Sequence, residues 1–336
     1  MGAPRLQDVA DLAGVSMKTV SNVVRNAPYV SEKMRLRVQA AIDELGYRPN
    51  AVARRLATGR TGLVMLAFAD VGMPYFAELA RTVAHQAQLV GYRVLIEETN
   101  AELALERDLM DGPEAGLIDG VIFQPSAMST TELARYRTRV PFVLLGETVP
   151  PPTVDHVMID NVEAATRATQ HLIDTGCRRI GFVGHEADAL SETSRQRLEG
   201  YGAALEAAGL PREPELLIAS SEVSAIGAVR AVGAALDAGV RFDALVCRDD
   251  LAAIGALRAL AERGILVPDD VRVTGWDDIR LSAVTFPSLT TIGPDVDALA
   301  ARAVALLLER IAGFDGAGRH ELVPYELVVR ESAPDR

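Results

Sequence analysis

Met17, Lys18, Ser21 and Asn22 share one side of the segment from Met17 to Val24, and Val20, Val23 and Val24 share the other. A thioether, an ammonium, a hydroxyl and a carboxamide on one helical face suit the edges of a DNA major groove. Lys18 can donate to guanine O6 and N7, and Met17 can pack on a thymine methyl. A plain helical hairpin with a solvated outer face would carry the same pattern. A second set lies far downstream. Asp70, Met73, Tyr75, Phe76, Ser126, Glu147, Asp249 and Asp277 each follow a short apolar run, Arg197 opens a helical segment, and Trp276 lies beside Asp277. A carboxylate accepting vicinal hydroxyls, a guanidinium donating to others and an aromatic face over ring C–H groups make the chemistry of a saccharide site. Each has a duller reading: Tyr75 and Phe76 as core, Asp277 as the cap of a turn, Arg197 as the partner of Glu199.

Both sets need elements to hold them. Leu6, Val9, Ala10 and Ala13 recur at helical spacing, Gly14 supplies a bend, and Ser16 can cap the next helix. Ser31 can cap a third helix running to about Leu45, with Met34, Val38, Ala41, Ile42 and Leu45 inward, and Gly46 to Asn50 stops it. Ala51 to Gly59 gives one or two helical turns, too few to stand alone.

From Leu63 onward short apolar runs alternate with amphipathic helices, the pattern of parallel sheets covered on both faces. Predicted strands are Leu63–Ala69, Arg93–Glu97, Gly120–Gln124, Phe142–Gly146, Val157–Asp160, Ile180–Gly184, Glu215–Ala219, Ala244–Cys247, Val271–Gly275 and Thr290–Ile292. Predicted helices include Tyr75–Val90, Val162–Thr175, Ser194–Ala208, Ser224–Ala238 and Asp250–Arg263. Ligands of such sheets bind where the strands' carboxyl ends open into a crevice.

The 336 residues carry a net charge of −12, which by itself argues against a nucleic-acid partner. Its distribution reverses that. Residues 1–60 hold ten Lys and Arg against five Asp and Glu, a net +5, leaving −17 for the remainder. A basic head on an acidic body turns the head toward phosphates. Cys177 and Cys247 are too few and too far apart for a disulfide framework or a zinc site. The five histidines show no metal-ligand spacing, and no cofactor is expected. No run reaches membrane-spanning length and no export leader opens the chain, so a cytoplasmic protein is expected. The absence of G-x-G-x-x-G, Gly-x-Ser-x-Gly and phosphate-loop motifs argues against an enzyme. A solute-binding protein serving a transporter would need the export signal and lack the head.

The segment Leu6 to Gly59 closely resembles, without gaps, the DNA-binding head of the lactose-repressor (LacI) family. The remainder resembles, more loosely, that family's effector module. Asp119-Gly120-Val121-Ile122, Asp160-Asn161, Arg197-Leu198-Glu199-Gly200-Tyr201, Val267-Pro268-Asp269-Asp270-Val271 and Gly275-Trp276-Asp277-Asp278 stand in the family's order and spacing. The resemblance implies a small all-α helix-turn-helix head plus an α/β body of two-lobed, type I periplasmic-binding-protein-like parallel sheets. It implies a head at 1–49, a hinge helix and linker at 50–61, one subdomain at 62–161 with 291–320, and another at 162–290 with 321–336. Met17, Lys18 and Asn22 would touch base edges, and Ser16, Thr19, Ser21, Arg25 and Ser31 would approach phosphates. Ala53 and Leu56 would enter the minor groove. Phe76, Arg197 and Asp277 would touch the effector. The implied partners are a roughly palindromic operator, a sugar or sugar phosphate, and a second copy of the chain; control by a partner protein or a non-sugar metabolite is the alternative. Two positions depart from the family. Arg5 replaces a capping threonine, so the first helix starts less well satisfied. Arg248 replaces an asparagine: facing the cleft it would favour an anionic effector, and folded onto Asp249 or Asp250 it would say nothing of ligand charge.

Overall fold

The computed structural model describes residues 4–24, 27, 29–47, 60–112, 116–136 and 140–335. They form two compact units, Met1–Thr61 and Gly62–Arg336. The expected hinge segment, with Ala53 and Leu56, and Arg25 lie outside the described residues.

In the first unit, α1 (Leu6–Ala13), α2 (Met17–Val24) and α3 (Glu32–Leu45) close on Val9, Ala10, Ala13, Val20, Val23, Val38 and Ala41, as the periodicity requires. Tyr47, read as part of a stop signal, is buried in that core as well. Gly14 has φ 62°, a left-handed turn that glycine enters without steric cost. Ser16 Oγ accepts the Thr19 N–H at 3.1 Å, the expected cap. Arg5 lacks an acceptor, and the start of α1 is tied instead by its own N–H donating to Asp8 Oδ2 at 2.7 Å. The expected Ser31 cap is not made: its side chain accepts no hydrogen bond at the start of α3.

The second unit holds two six-stranded sheets. β1 (Leu63–Phe68), β2 (Arg93–Glu98), β3 (Gly120–Phe123), β4 (Phe142–Leu145), β5 (Asp155–Met158) and β11 (His320–Leu322) pair in the order β11-β5-β4-β3-β1-β2, all parallel. β6 (Ile180–Glu186), β7 (Leu217–Ser220), β8 (Ala244–Cys247), β9 (Arg272–Trp276), β10 (Thr290–Pro294) and β12 (Tyr325–Val328) pair in the order β12-β10-β9-β8-β6-β7, with only β12 antiparallel. Side chains alternate along β1, with Leu66 and Phe68 in one core cluster and Met65 and Ala67 in another, so both faces are covered. The covering helices are α4 (Pro74–Leu89), α5 (Leu103–Asp111), α6 (Thr130–Leu133), α7 (Asn161–Asp174), α8 (Glu192–Ala207), α9 (Ala225–Asp237), α10 (Asp250–Ala261) and α11 (Val296–Ile311).

Several boundaries move. Pro214 starts a 3-10 turn through Leu216, so the strand read from Glu215 begins at Leu217. Asp160 leaves its strand to cap α7, accepting the Glu163 N–H at 2.9 Å. β10 stays paired with β9 and β12 through Pro294, so the second crossover follows Pro294 instead of falling near Thr290. Likewise Glu321 and Leu322 pair with β5 in the first sheet, and the third crossover falls between Leu322 and Tyr325. The chain after Glu331 then closes the second sheet: Ser332 Oγ donates to the Val273 carbonyl at 2.6 Å and accepts the Thr290 N–H at 2.8 Å.

Gly200 explains part of the Arg197 to Tyr201 motif. A Cβ there would stand 2.1 Å from the Val162 carbonyl oxygen, so α7 and α8 approach as closely as they do only because the position is glycine. Gly200→Ala must therefore push the two helices apart. The expected loss is about 2 kcal/mol or more of unfolding free energy, in the range of other overpacked interiors. Urea denaturation of the full chain followed by far-UV circular dichroism measures it; an unchanged midpoint would contradict the close packing.

Candidate functional site

On the first unit, α2 presents Met17, 48% exposed, and Lys18 to solvent. Ser21 and Asn22 are half-buried at the flanks of the same face. The hydroxyls of Ser16 and Thr19 share a hydrogen bond of 2.9 Å, while exposed Ser31 makes no capping bond and keeps its hydroxyl open.

In the second unit the carboxyl ends of β1, β3, β4 and β5 and those of β6, β8, β9 and β10 meet around one cavity of about 430 Å³. That size is in the range of small-molecule sites. The ten residues expected there, Asp70, Tyr75, Phe76, Ser126, Glu147, Arg197, Arg248, Asp249, Trp276 and Asp277, all line it.

Arg197 is at the centre. It sits two turns into α8, because Ser191 caps the helix by accepting the Ser194 N–H at 3.2 Å; it does not open the helix. Its guanidinium lies 4.0 Å from the ring centroid of Trp276, donates through Nε to Asn161 Oδ1 at 3.1 Å and through Nη1 to the Arg248 carbonyl, and stands 3.7 Å from Glu147. Burial lowers its pKa, and the carboxyl groups of Asp277 and Glu147 oppose that. Glu147, at the end of β4, also accepts from Thr193 Oγ1 at 2.8 Å, and its carbonyl accepts from Gln196 at 3.0 Å. These contacts tie the first sheet to a helix of the second.

Arg248 is folded onto Asp249, with Nε and Nη2 at 3.1 and 2.6 Å from Oδ2, and its Nη1 reaches Glu186 Oε1 at 3.1 Å. The motive for an anionic effector therefore falls away. Asp249 spends its other oxygen on the Ala252 N–H at 2.8 Å, capping α10. Asp70 is turned back on its own loop, accepting the Gly72 N–H at 2.6 Å. Phe76 stacks flat on Phe68, 4.9 Å between centroids, and is largely core; half-buried Tyr75 packs edge-on against it. Burial, then Asp277 and Glu147, raise the Tyr75 pKa.

Asp277 differs from all of these. Among the described residues its carboxyl has no hydrogen bond or ion pair, although it lines the cavity. Its backbone is held at φ 105°, a region L-residues rarely adopt, by an N–H bond to the Ile292 carbonyl at 2.8 Å. Burial raises its pKa well above the usual carboxylate range, and Arg197 only partly offsets this.

Sequence reasoning missed three contributors. Glu186 ends β6 two residues past the strand as read, the same distance at which Ser126, Asp249 and Asp277 follow theirs, so the strand-end rule could have reached it. Glu106 is fully buried on α5 and accepts the N–H groups of Ser126, Ala127 and Met128 at 2.7 to 3.1 Å, fixing the loop that carries Ser126. Asp250, noted only beside Asp249, accepts from Ser282 Oγ and Thr291 Oγ1, both at 2.6 Å, and from the Ile279 N–H at 2.9 Å. It thereby pins the loop after Asp277.

Two family models match the chain, bacterial regulatory proteins of the lacI family over residues 5–50 and a periplasmic binding protein-like domain over residues 169–333. The HTH-type transcriptional repressor PurR of Aliivibrio fischeri (strain ATCC 700601 / ES114) is 31% identical over 335 residues, 98% of each chain. The chain belongs to the lacI family. Among solved structures of this family, the lac repressor dimer bound to operator and the anti-inducer ONPF superposes with TM-score 0.84 at 27% identity, covering 99% of this chain and all of that one. The complex of the regulator CelR with cellobiose gives 0.72 at 30%, covering 98% and 99%. The glycine of Gly275-Trp276-Asp277-Asp278 has a local reason here: a Cβ at Gly275 would stand 2.1 Å from Asp250 Oδ1.

The Asp250 carboxyl is pushed up to about 7, with burial the main cause and three donated hydrogen bonds opposing it. The folded chain then keeps a proton that the unfolded chain loses near pH 4, so stability falls as pH rises from about 4 to 7. Asp250→Asn keeps the shape without the charge: its oxygen can still accept from Ser282 and Ile279, and its amide can donate to the Thr291 hydroxyl in place of accepting from it. At pH 8 it should unfold at higher urea than the parent, by up to roughly 4 kcal/mol, and at pH 4 the two should coincide. Parallel denaturation curves at both pH values decide; equal stability at pH 8 would show that Asp250 carries no such cost.

Proposed function

We propose that this chain is a transcriptional repressor that binds a roughly palindromic operator as a homodimer and is controlled by a small polyhydroxylated effector held in the strand-end cavity. One observation carries the effector half of this reading: a chain with a lacI-type head also holds a cleft cavity in which Asp277 has no partner, beside the Arg197 and Trp276 platform. Asp277 is half-buried, and a carboxyl that lines a cleft without a partner is open to a ligand's donors. The bound cellobiose in the CelR structure supports a sugar-like occupant. The cavity's size favours a small molecule over a partner protein as the controlling agent.

In this reading Met17, Lys18 and Asn22 meet base edges, while Ser16, Thr19, Ser21, Arg25 and Ser31 approach phosphates. Ala53 and Leu56, in a hinge at 50–61, enter the minor groove of a kinked central step. Pairing of two copies has apolar surface to use, including Leu95 and Ile96 on the edge strand β2 and Phe286, which is 96% exposed. Among the described residues no helix is long and apolar enough to cross a membrane, and a cytoplasmic, non-enzymatic regulator fits the family's relatives. An effector moves the operator equilibrium only by its differential affinity for two body conformations, typically about 1–3 kcal/mol. The bonds of Glu147 to Thr193 and Gln196, and of Glu78 to Arg280 at 3.6 Å, are the contacts such a movement would make or break.

The test is selection of genomic fragments by the purified chain, followed by titration of the selected operator. Lys18→Ala should weaken specific binding by about 1–3 kcal/mol and relax preference at one position of each half-site. Leu56→Ala should weaken operator binding far more than binding to random DNA. Equal losses on both kinds of DNA, or no fragment selected at low salt, would contradict the reading.

A further inference from the structure

Two guanidinium groups reach the cavity, and both are already paired with carboxylates of the lining. Arg248 is held by Asp249 and Glu186, and Arg197 by Asn161, the Arg248 carbonyl, Glu147 and the face of Trp276. Facing these two cations are four carboxyl groups, Glu147, Glu186, Asp249 and Asp277. Two further carboxylates on the lining are engaged locally, Asp70 by the Gly72 N–H and Glu192 by Arg195 at 3.1 Å. Four carboxyl groups against two guanidinium groups leave the lining acidic, and Asp277, which strained backbone holds against the cavity, is the one of the four with no hydrogen bond or ion pair among the described residues. A second open group is also an acceptor: Gln124 Oε1 is buried without a hydrogen bond.

We propose that the effector carries a cationic amine beside its hydroxyl groups, as an amino sugar or an aminated polyol does, and that its ammonium rests on Asp277. This deepens the effector reading above and rests on it. An ammonium brings three donors and one positive charge to a site in which Asp277 and Gln124 Oε1 are open acceptors. In the low-dielectric interior a neutral hydroxyl leaves the carboxyl surplus uncompensated, and a phosphate would add its charge to four carboxyl groups that two guanidinium groups already fail to balance. Burial favours the protonated form of Asp277 where no cation stands beside it, and an ammonium takes over the part of that proton. Tyr75 and Trp276 supply the apolar walls for the rest of the molecule.

The experiment uses the full chain and matched sets of one hexose: D-glucose, D-glucosamine, N-acetyl-D-glucosamine and D-glucose 6-phosphate, with the galacto and manno counterparts. Binding is read by Trp276 emission and by calorimetry, and in parallel by the affinity for a selected operator. In at least one set the amine should bind tenfold or more tighter than both the neutral parent and its N-acetyl form, with the phosphate weakest. Asp277→Asn should reduce that preference to within twofold; asparagine tolerates a positive φ, and circular dichroism checks that the variant folds. Asp237→Asn, which removes a carboxylate that is not on the cavity lining, should keep the preference. A neutral or phosphorylated member that binds as tightly as the amine, or an amine preference that survives Asp277→Asn, overturns the inference while leaving the effector reading intact. If no member binds and none changes operator affinity, the polyhydroxylated-effector reading fails and this inference with it.

Discussion

The body is organised around the burial of one guanidinium. Arg197 brings a charge to the meeting point of two sheets and distributes its donors among the chain crossover at Asn161, the strand end at Arg248 and the opposite strand end at Glu147, with Trp276 beneath it. Each of those contacts comes from a different element, so the positions of α8, β4, β8 and β9 are mutually constrained. A buried cation has few other solutions, since an unpaired one costs several kcal/mol and an arginine cannot discharge by losing its proton at physiological pH. The same arrangement makes the cavity what it is. Because Arg197 is bound on one side and faces the open cleft beside Asp277, a ligand enters a site whose geometry is already fixed.

A second layer supports the first. Glu106 gathers three backbone N–H groups of the loop after β3, and Asp250 gathers two hydroxyls and one N–H around the loop after β9. Neither group needs to touch a ligand. Their work is to hold irregular backbone at the strand ends, where ladder hydrogen bonds run out and the unpaired groups must be satisfied some other way. The strain at Asp277 is sustained by this surrounding, with the Ile292 carbonyl on its N–H, Asp250 on the next turn and Gly275 leaving room for Asp250.

Much of this was legible in the chain. Short apolar runs separated by amphipathic helices marked ten of the strands to within about two residues, and the strand-end rule named Phe76 and Asp277, which the resemblance also named, while Arg197 was read from a helical segment. What escaped has physical causes. β11 and β12 are short and broken by Glu321 and Glu326, so they show no continuous apolar run, and β11 pairs with a strand far away in sequence. The crossover after Pro294 moved because β10 is held on both sides by partners that no local pattern reveals. The fate of Arg248 was open between two stated outcomes, and only the positions of Asp249 and Glu186 could decide it. Ser31 shows the limit of a local rule: the residue type suits a cap, yet the side chain is left free.

Those same long-range partners bear on how the cavity could communicate. Coupling between sites requires contacts that differ between two arrangements of the body. The candidates all cross between the sheets: Glu147 with Thr193 and Gln196, Arg197 with Glu147, and Glu78 with Arg280. Three of the four share the strand end after β4, whose Glu147 also lines the cavity. A ligand that draws on Glu147 or Arg197 must compete with, or reinforce, bonds that already join the sheets. The sign of regulation therefore turns on a local competition. A ligand that takes Glu147 away from Thr193 loosens the junction, and one that satisfies Asp277 while leaving Glu147 in place tightens it. Since the unpartnered carboxyl is Asp277, the arrangement favours the tightening case, in which binding adds contacts across the cleft without breaking those already made.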